Sequence, residues 1–256
     1  RVSLVPPYRL NDAWKRWITQ GWIELDDWDT HTVIQNLRLC DVLELPRHYD
    51  VVVPESGHAP ETLNALLPFP WQTTPYAVFH MVPLRFYKRW TVAGWQEVAK
   101  HLDAMGLRIV IVGGRGKEEA DYVQAFLQTC PATAVDLTGR LKFSETAKLI
   151  GSSKVYVGLD TAVTHLAAAT GAPTVALFGP TNPVKWAPWP HGFREDRNPF
   201  DRTGTQHVGN VVLVQGEGDC VPCHEEGCDH HRQSKSRCLE ELDGATVIRA
   251  IENALR

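Results

Sequence analysis

The stretch from Tyr156 to Pro190 constrains the fold more than any other part of the chain. An apolar segment, 154–158, predicts a strand that leads into Asp160 and Thr161, and small residues typical of a helix follow. A second apolar segment, 174–178, predicts the next strand. Polar side chains therefore follow directly where strands end and a helix begins, which is where ligands bind in open α/β sheets. A helix N-terminus at that place offers free N–H groups and partial positive charge to a phosphate.

Strand and helix patterns alternate regularly from residue 76 onward. Near-continuous apolar strands between helices predict an α/β fold with a parallel sheet covered on both faces. We interpret residues 76–256 as one Rossmann-like domain. The predicted strands are 76–82, 108–112, 134–137, 154–158, 174–178 and 210–215, and the predicted helices include 91–105, 118–128, 144–150 and 246–255.

Residues 1–75 follow a different pattern. They contain five Trp, a helix pattern over 31–42 and an apolar segment, 50–54, that favours a strand. The Pro-rich stretch 55–75 is typical of a linker. This part is too short and irregular to predict a complete α/β domain.

Composition excludes several classes of protein. The 256 residues are 43% hydrophobic and 22% charged, as in globular proteins, and the net charge is −4. Nothing in that balance predicts the basic face that nucleic-acid binding needs. No apolar run approaches the roughly 18 residues of a membrane span. The sequence also lacks GxGxxG, Walker A and HExxH motifs, which disfavours a dehydrogenase or an NTPase.

Charged residues follow two of the predicted strands. Lys88 and Arg89 come after strand 76–82, where a lysine can neutralise a diphosphate; a solvated basic loop is the alternative. Glu118 and Glu119 follow two glycines, where a carboxylate can accept hydrogen bonds from ribose hydroxyls. Acidic residues are also common at helix N-termini for electrostatic reasons alone. Of the two, we favour Glu118.

A third group of polar residues surrounds the helix after strand 154–158. Asp160 suits an N-cap, which by itself explains an aspartate there. His165 lies four residues after Thr161 and therefore on the same helical face. Thr181 follows Gly179-Pro180 and can reach a phosphate, although a simple turn explains it equally well.

Four of the six cysteines form a compact set within the loop 219–238: Cys220, Cys223, Cys228 and Cys238. Four thiolates suit a structural Zn²⁺ or an iron site, which would hold the loop rather than perform chemistry because no coordination position stays open. Free thiols and disulfides are the alternatives. Cys40 and Cys130 lie in apolar segments and are interpreted as buried small hydrophobes.

The order D-T-x-x-x-H at 160–165 and F-G-P-T-x-P at 178–183, with K-R-W at 88–90 and C-V-P-C at 220–223, resembles glycosyltransferase family 9. Its members are the bacterial ADP-heptose:lipopolysaccharide heptosyltransferases and their relatives. The resemblance implies a GT-B fold, in which two Rossmann-like domains face a cleft and the C-terminal one holds the donor. It implies an inverting transfer of a heptose or related sugar from an ADP-sugar to a lipopolysaccharide core or similar acceptor, without a metal in the chemistry.

The resemblance also implies roles for individual residues. Lys88 would contact the donor diphosphate, as would Thr161 with the following backbone N–H groups, while Asp160 would lie near the donor sugar. His165 and Thr181 are counted with them as donor-binding residues. Glu118 would contact the ribose. His80 also matches a family position, and a buried core histidine is the alternative reading.

The sequence departs from the family pattern in two places. Ala162 stands where the family usually has Gly, which leaves less room for a phosphate near the backbone. The Gly-Asp opening of the family's first domain, which carries the expected general base, is also missing. We expect a truncated chain or a diverged short member in which residues 1–75 are the end of that domain. Asp26, Asp27 and Asp29 are acidic candidates, and the sequence selects none of them.

Two further functions are compatible with the sequence. One is a non-catalytic nucleotide-sugar-binding or degenerate member, favoured by Ala162 and the missing domain. The other is a GT-B sugar epimerase. We expect a cytoplasmic protein that visits the inner face of the inner membrane, where lipid-linked acceptors lie.

Overall fold

The computed structural model of the chain describes residues 1–7, 13–130, 134–231 and 233–256. Its N-terminal part contains two parallel strands, β1 (Val2–Val5) and β2 (Gly21–Glu24), with helix α1 (Ala13–Ile18) between them. Helices α2 (Thr32–Val42) and α3 (Ala59–Leu66) follow, so the predicted helix over 31–42 is confirmed.

The strand predicted over 50–54 is wrong. This segment is irregular, and the side chain of Val52 is 87% exposed. A strand is stable only when its backbone groups pair with a neighbouring strand. The segment pairs with no strand in the described part of the chain.

A seven-stranded sheet forms the centre of the molecule, in the order β5-β4-β3-β6-β7-β9-β8. All neighbours in it are parallel except β8 and β9. This confirms the predicted Rossmann-like alternation. The elements in chain order are β3 (Tyr76–His80), α4 (Val92–Ala104), β4 (Arg108–Ile111), α5 (Lys117–Leu127), β5 (Val135–Asp136), α6 (Phe143–Gly151), β6 (Val155–Leu159), α7 (Ala162–Thr170), β7 (Thr174–Phe178), α8 (Pro183–Trp186), β8 (Gln206–Val208), β9 (Val211–Gln215), α9 (Arg237–Glu240) and α10 (Gly244–Ala254).

Apolar side chains cover both faces of the sheet. Along β3, Ala77 and Phe79 point to one face, where they join the core formed with α4, α5 and α10. Tyr76 and Val78 point to the other face, where α3, α6 and α7 pack. Successive side chains of a strand alternate between faces, so a strand buried on both sides is apolar throughout. That is why the sequence shows continuous rather than alternating apolar strands.

The stretch 55–75 was predicted to be a linker, and that prediction is wrong for much of its length. Helix α3 packs against α6. Leu63, Leu67, Phe69 and Trp71 are buried in the same core as Tyr76. The Pro residues interrupt the helix and strand patterns in the sequence, but these apolar side chains are still buried in the core. The domain division at residue 75 stays a prediction.

Polar contacts attach the N-terminal part to the segment after β7. The side chain of Lys185 is buried, and its ammonium donates to the Asp26 carbonyl and to Oε1 of Gln35 (2.5 Å to the latter). Asn182 donates to the Trp28 carbonyl (2.8 Å). These bonds hold residues 26–35 beside the carboxyl end of β7. The N-terminal part therefore lies next to the edge of the sheet where the sequence places its polar residues.

Candidate functional site

Three predicted residues meet at the carboxyl edge of the sheet. Asp160 follows β6 directly, Thr181 follows β7, and Lys88 ends a 3-10 turn, Phe86–Lys88, after β3. Strands β3, β6 and β7 are neighbours, so their carboxyl ends lie side by side. The three side chains line one cavity of about 260 Å³, together with Tyr87, Pro180, Trp186, His224 and Glu225.

An ion pair lies in this cavity. The ammonium of Lys88 is 2.5 Å from Oδ2 of Asp160. The Asp160 side chain is only 9% exposed and that of Lys88 is 23% exposed, so water screens the pair incompletely. The sequence predicted both residues near a donor but not their contact, since they are 72 positions apart.

The helix after Asp160 is capped differently from the prediction. The N-cap of α7 is Thr161, in extended conformation, and its side chain makes no capping hydrogen bond. Instead its hydroxyl lies 3.2 Å from Nδ1 of His80. The prediction that Asp160 is the N-cap is therefore wrong, because the carboxylate of Asp160 pairs with Lys88. The first turn of α7 begins at Ala162, and within the described ranges of the chain no side chain is seen to cap its N–H groups.

The two histidines near the cavity differ in environment. His80 is buried at the end of β3, and burial lowers its pKa to about 4, so the ring is neutral. This favours the core reading of His80. His165 is half-buried on α7, where desolvation lowers its pKa while the Asp160 charge raises it. His165 is therefore near the ion pair, although it does not line the cavity.

The structure separates the roles of the two glutamates. Oxygens of Glu119 accept from the backbone N–H of Gly114 (3.3 Å) and Gly116 (3.0 Å), which closes the turn before α5. Glu118 instead pairs with Arg89 (3.1 Å) and lines a second cavity of about 600 Å³. The second cavity also contains Tyr122 and Phe86. Glu118 thus lines a different cavity from Lys88, and its ribose contact stays a prediction.

The three N-terminal aspartates also separate. Asp26 accepts from the backbone N–H of Trp28 and Asp29 and from the hydroxyl of Thr30. Asp29 pairs with Arg202 at 2.6 Å. Asp27 is exposed and has no hydrogen bond or ion pair among the residues the structure describes, while its charge acts on His224 and Lys185. Asp27 is therefore the carboxylate of the three that stays unengaged near the cavity.

The four clustered cysteines line one cavity of about 540 Å³ next to the Lys88 cavity. All four are free thiols, and burial with the neighbouring Cys223, Cys228 and Cys220 raises the pKa of Cys238 to about 11. Within the described residues, no group of three or more His, Cys, Asp or Glu side chains is arranged to hold a metal ion. The four cysteines share a cavity without forming a ligand set among the described residues, so the predicted metal site stays a proposal.

Sequence reasoning missed four residues of the Lys88 cavity: Tyr87, Trp186, His224 and Glu225. Tyr87 and Trp186 flank motifs that were already noted, and His224 follows Cys223 directly. Nothing local in the sequence indicates that the loop after Cys223 folds back to Pro180, as the bond from the His224 N–H to the Pro180 carbonyl shows. Tyr87 could have been predicted from the sequence, because it directly precedes Lys88, which was already a candidate.

Among the helices of the described residues, none combines the length and apolar character needed to cross a bilayer.

Solved structures share this architecture. A family 9 glycosyl transferase from Veillonella parvula gives a TM-score of 0.73 at 16% identity, over 99% of this chain and 66% of that one. ADP-heptose lps heptosyltransferase II from E. coli gives 0.67 at 19% identity, over 91% and 65%. The chain has a fold of the GT-B class, as predicted.

The family follows from the sequence comparison. Residues 15–206 match the model of Glycosyltransferase family 9 (heptosyltransferase). The chain belongs to this family, and the predicted resemblance is confirmed.

Individual relatives match over part of their length. Lipopolysaccharide heptosyltransferase 3 of Escherichia coli K12 is 25% identical over 74% of this chain and 55% of its own length. Lipopolysaccharide heptosyltransferase 1 of Pseudomonas aeruginosa is 29% identical over 66% of this chain and 41% of its own. The chain spans about half the length of these relatives.

Proposed function

We propose that this chain holds the ADP-sugar donor of a glycosyltransferase that moves a heptose or related sugar to a lipopolysaccharide core or similar glycan acceptor. The observation that carries the proposal is the cavity at the carboxyl ends of β3, β6 and β7, which gathers Lys88, Asp160 and Thr181. Family membership and relatives named as lipopolysaccharide heptosyltransferases support it. A family neighbour was solved with ADP, and another structure of that protein with ADP-2-deoxy-2-fluoro heptose.

The proposed donor site has two parts. The Lys88 cavity, at about 260 Å³, is smaller than the roughly 300–1,000 Å³ typical of pockets for whole small molecules. It would hold the sugar and diphosphate. The neighbouring cavity, with Glu118 and the rings of Phe86 and Tyr122, would hold the nucleoside. Lys88 and Arg89, consecutive in the chain, mark the boundary between the two.

The proposed reaction is a single displacement with inversion. An acceptor hydroxyl oxygen bonds to the anomeric carbon, and the bond from that carbon to the diphosphate oxygen breaks with its electron pair leaving on ADP. The acceptor proton passes to a general base. Lys88 and the N–H groups at the start of α7 would stabilise the negative charge that develops on the diphosphate.

Calorimetric titration with ADP, ADP-heptose and UDP-glucose tests the proposal. We expect ADP and ADP-heptose to bind and UDP-glucose to bind more weakly. Transfer assays with a heptose-deficient lipopolysaccharide acceptor then separate a transferase from a non-catalytic binding member. Absence of binding to both adenine ligands would contradict the proposed function.

We also propose a structural Zn or Fe ion bound by Cys220, Cys223, Cys228 and Cys238, supported by their shared cavity. Elemental analysis of the purified chain is expected to give about one metal ion per chain. A Cys220→Ser/Cys223→Ser variant would lose the metal, because two thiolates cannot complete a tetrahedral site. A Cys40→Ser/Cys130→Ser variant serves as the control and would keep it. Six titratable thiols without metal would contradict this proposal.

Finally, we propose a cytoplasmic location at the inner face of the inner membrane. Trp14, Trp17 and Trp22 are exposed around α1 beside Lys15 and Arg16, a combination that suits an anionic lipid interface. Fractionation of cells is expected to place part of the protein with inner membranes and to release it at high salt. A wholly unbound protein at low salt would contradict the membrane contact.

A further inference from the structure

The cysteine loop delivers one of its own side chains to the cavity of Lys88. His224 lines this cavity with Asp160 and Thr181, although Cys223, the residue before it, lines the cavity of the cysteines. Pro180 and Glu225 line both cavities and form their common wall. The loop therefore contributes to the candidate donor site as well as to the cysteine cluster.

Three contacts or constraints fix His224 in this position. Its backbone N–H donates to the Pro180 carbonyl (2.8 Å). Its ring packs against Trp28, with centroids 4.5 Å apart and planes tilted by 54°. Its backbone is left-handed (φ 60), a conformation that is unfavourable for residues other than Gly. Unfavourable backbone conformations persist where the surroundings enforce them, often at binding sites.

The ring nitrogens of His224 stay available in this arrangement. In the described part of the chain, no group forms a hydrogen bond with either nitrogen. A neutral imidazole presents one donor and one acceptor, which matches sugar hydroxyls, since these both donate and accept. Phosphate oxygens mainly accept, and Lys88 with the start of α7 already serves them.

We propose that His224 hydrogen-bonds the hydroxyls of the transferred sugar and so distinguishes an ADP-sugar from ADP. This inference rests on the proposed function. It adds a specificity-determining residue outside the range that matches the family model, which ends at residue 206. Trp28 would orient the imidazole from the N-terminal part of the chain.

The test compares ADP and ADP-heptose binding by calorimetry in the wild type and in His224→Gly. Glycine accepts the left-handed backbone, so the change removes the ring without new strain. We expect about a tenfold loss of ADP-heptose affinity, the magnitude of one to two hydrogen bonds, and ADP affinity within twofold of wild type. His230→Gly is the matched control, because His230 has the same backbone conformation (φ 57) in the same loop and does not line the Lys88 cavity.

Any other result would contradict the inference, and the pattern of affinities would show why. Unchanged ADP-heptose affinity in His224→Gly would disprove the role of His224. The proposed function would still stand in that case, because the wild type binds ADP-heptose. Equal losses for ADP and ADP-heptose would place the ring at the diphosphate instead. The same loss in His230→Gly would indicate a general effect of the loop. If the wild type binds neither ligand, the proposed function fails and this inference fails with it.

Discussion

Lys88→Ala is expected to weaken ADP-heptose binding by about 100-fold, close to 3 kcal/mol. Two effects act together. The variant loses the positive charge proposed to face the diphosphate, and it leaves Asp160 unpaired at 9% exposure. An unpaired carboxylate in that position repels an anionic ligand, and incomplete screening makes the repulsion stronger than at an open surface. Calorimetric titration measures the loss directly.

A double variant separates the two effects. In Lys88→Ala/Asp160→Asn the carboxylate charge is gone, so we expect part of the affinity, about tenfold, to return relative to Lys88→Ala. Lys154→Ala is the matched control. Lys154 is exposed just before β6, at the opposite edge of the sheet, and its removal should leave binding unchanged. Wild-type affinity in Lys88→Ala would refute the assignment of the cavity as the donor site.

The second large effect expected is a loss of stability in acid caused by His31. The ring is 1% exposed, Nε2 lies 2.8 Å from the Ala187 carbonyl, and Nδ1 accepts from the backbone N–H of Val33. With one nitrogen donating and the other accepting, a second proton would break the contact with Val33. Burial is the main cause that lowers the pKa of His31 to about 4, and the charges of His165 and Lys185 lower it further.

The sign of the effect follows from proton linkage. Between pH 6.5 and about 4 the unfolded chain binds a proton at His31 and the folded chain does not, so acid favours unfolding. The stability is fully present above pH 6.5 and falls by about 2 to 3 kcal/mol by pH 4.5. Denaturant unfolding at both pH values measures this loss. His80, with a pKa also near 4, adds a loss of the same sign.

A His31→Asn variant isolates the contribution of one residue. Asparagine keeps an N-cap acceptor for α2 but does not titrate. The variant is expected to be less stable at pH 7, because the bond to the Ala187 carbonyl is lost. Its further loss between pH 7 and 4.5 should be smaller than that of the wild type by about 2 to 3 kcal/mol. Equal losses in both proteins would show that His31 does not control the acid sensitivity.

Much of the sheet could be predicted from the sequence because its signals are local. Strands buried on both faces are apolar over most of their length, as 109–111 of β4 and 175–178 of β7 are. Thr91 caps α4 by accepting a hydrogen bond from the Gly94 N–H. The predictions failed where long-range packing decides. Residues 50–54 have the composition of a strand but pair with no strand among the residues that the structure describes, and Pro-rich 55–75 carries apolar residues that join a distant core.

For the candidate site, the sequence by itself determined which residues follow the strands, because a parallel α/β sheet gathers its polar loops at one edge. Lys88, Asp160 and Thr181 were identified on that basis. Only the tertiary structure decided that Asp160 pairs with Lys88, that Glu119 closes a turn while Glu118 stays at a cavity, and that His224 enters the site. These features depend on contacts between residues far apart in the chain, and no local pattern encodes such contacts.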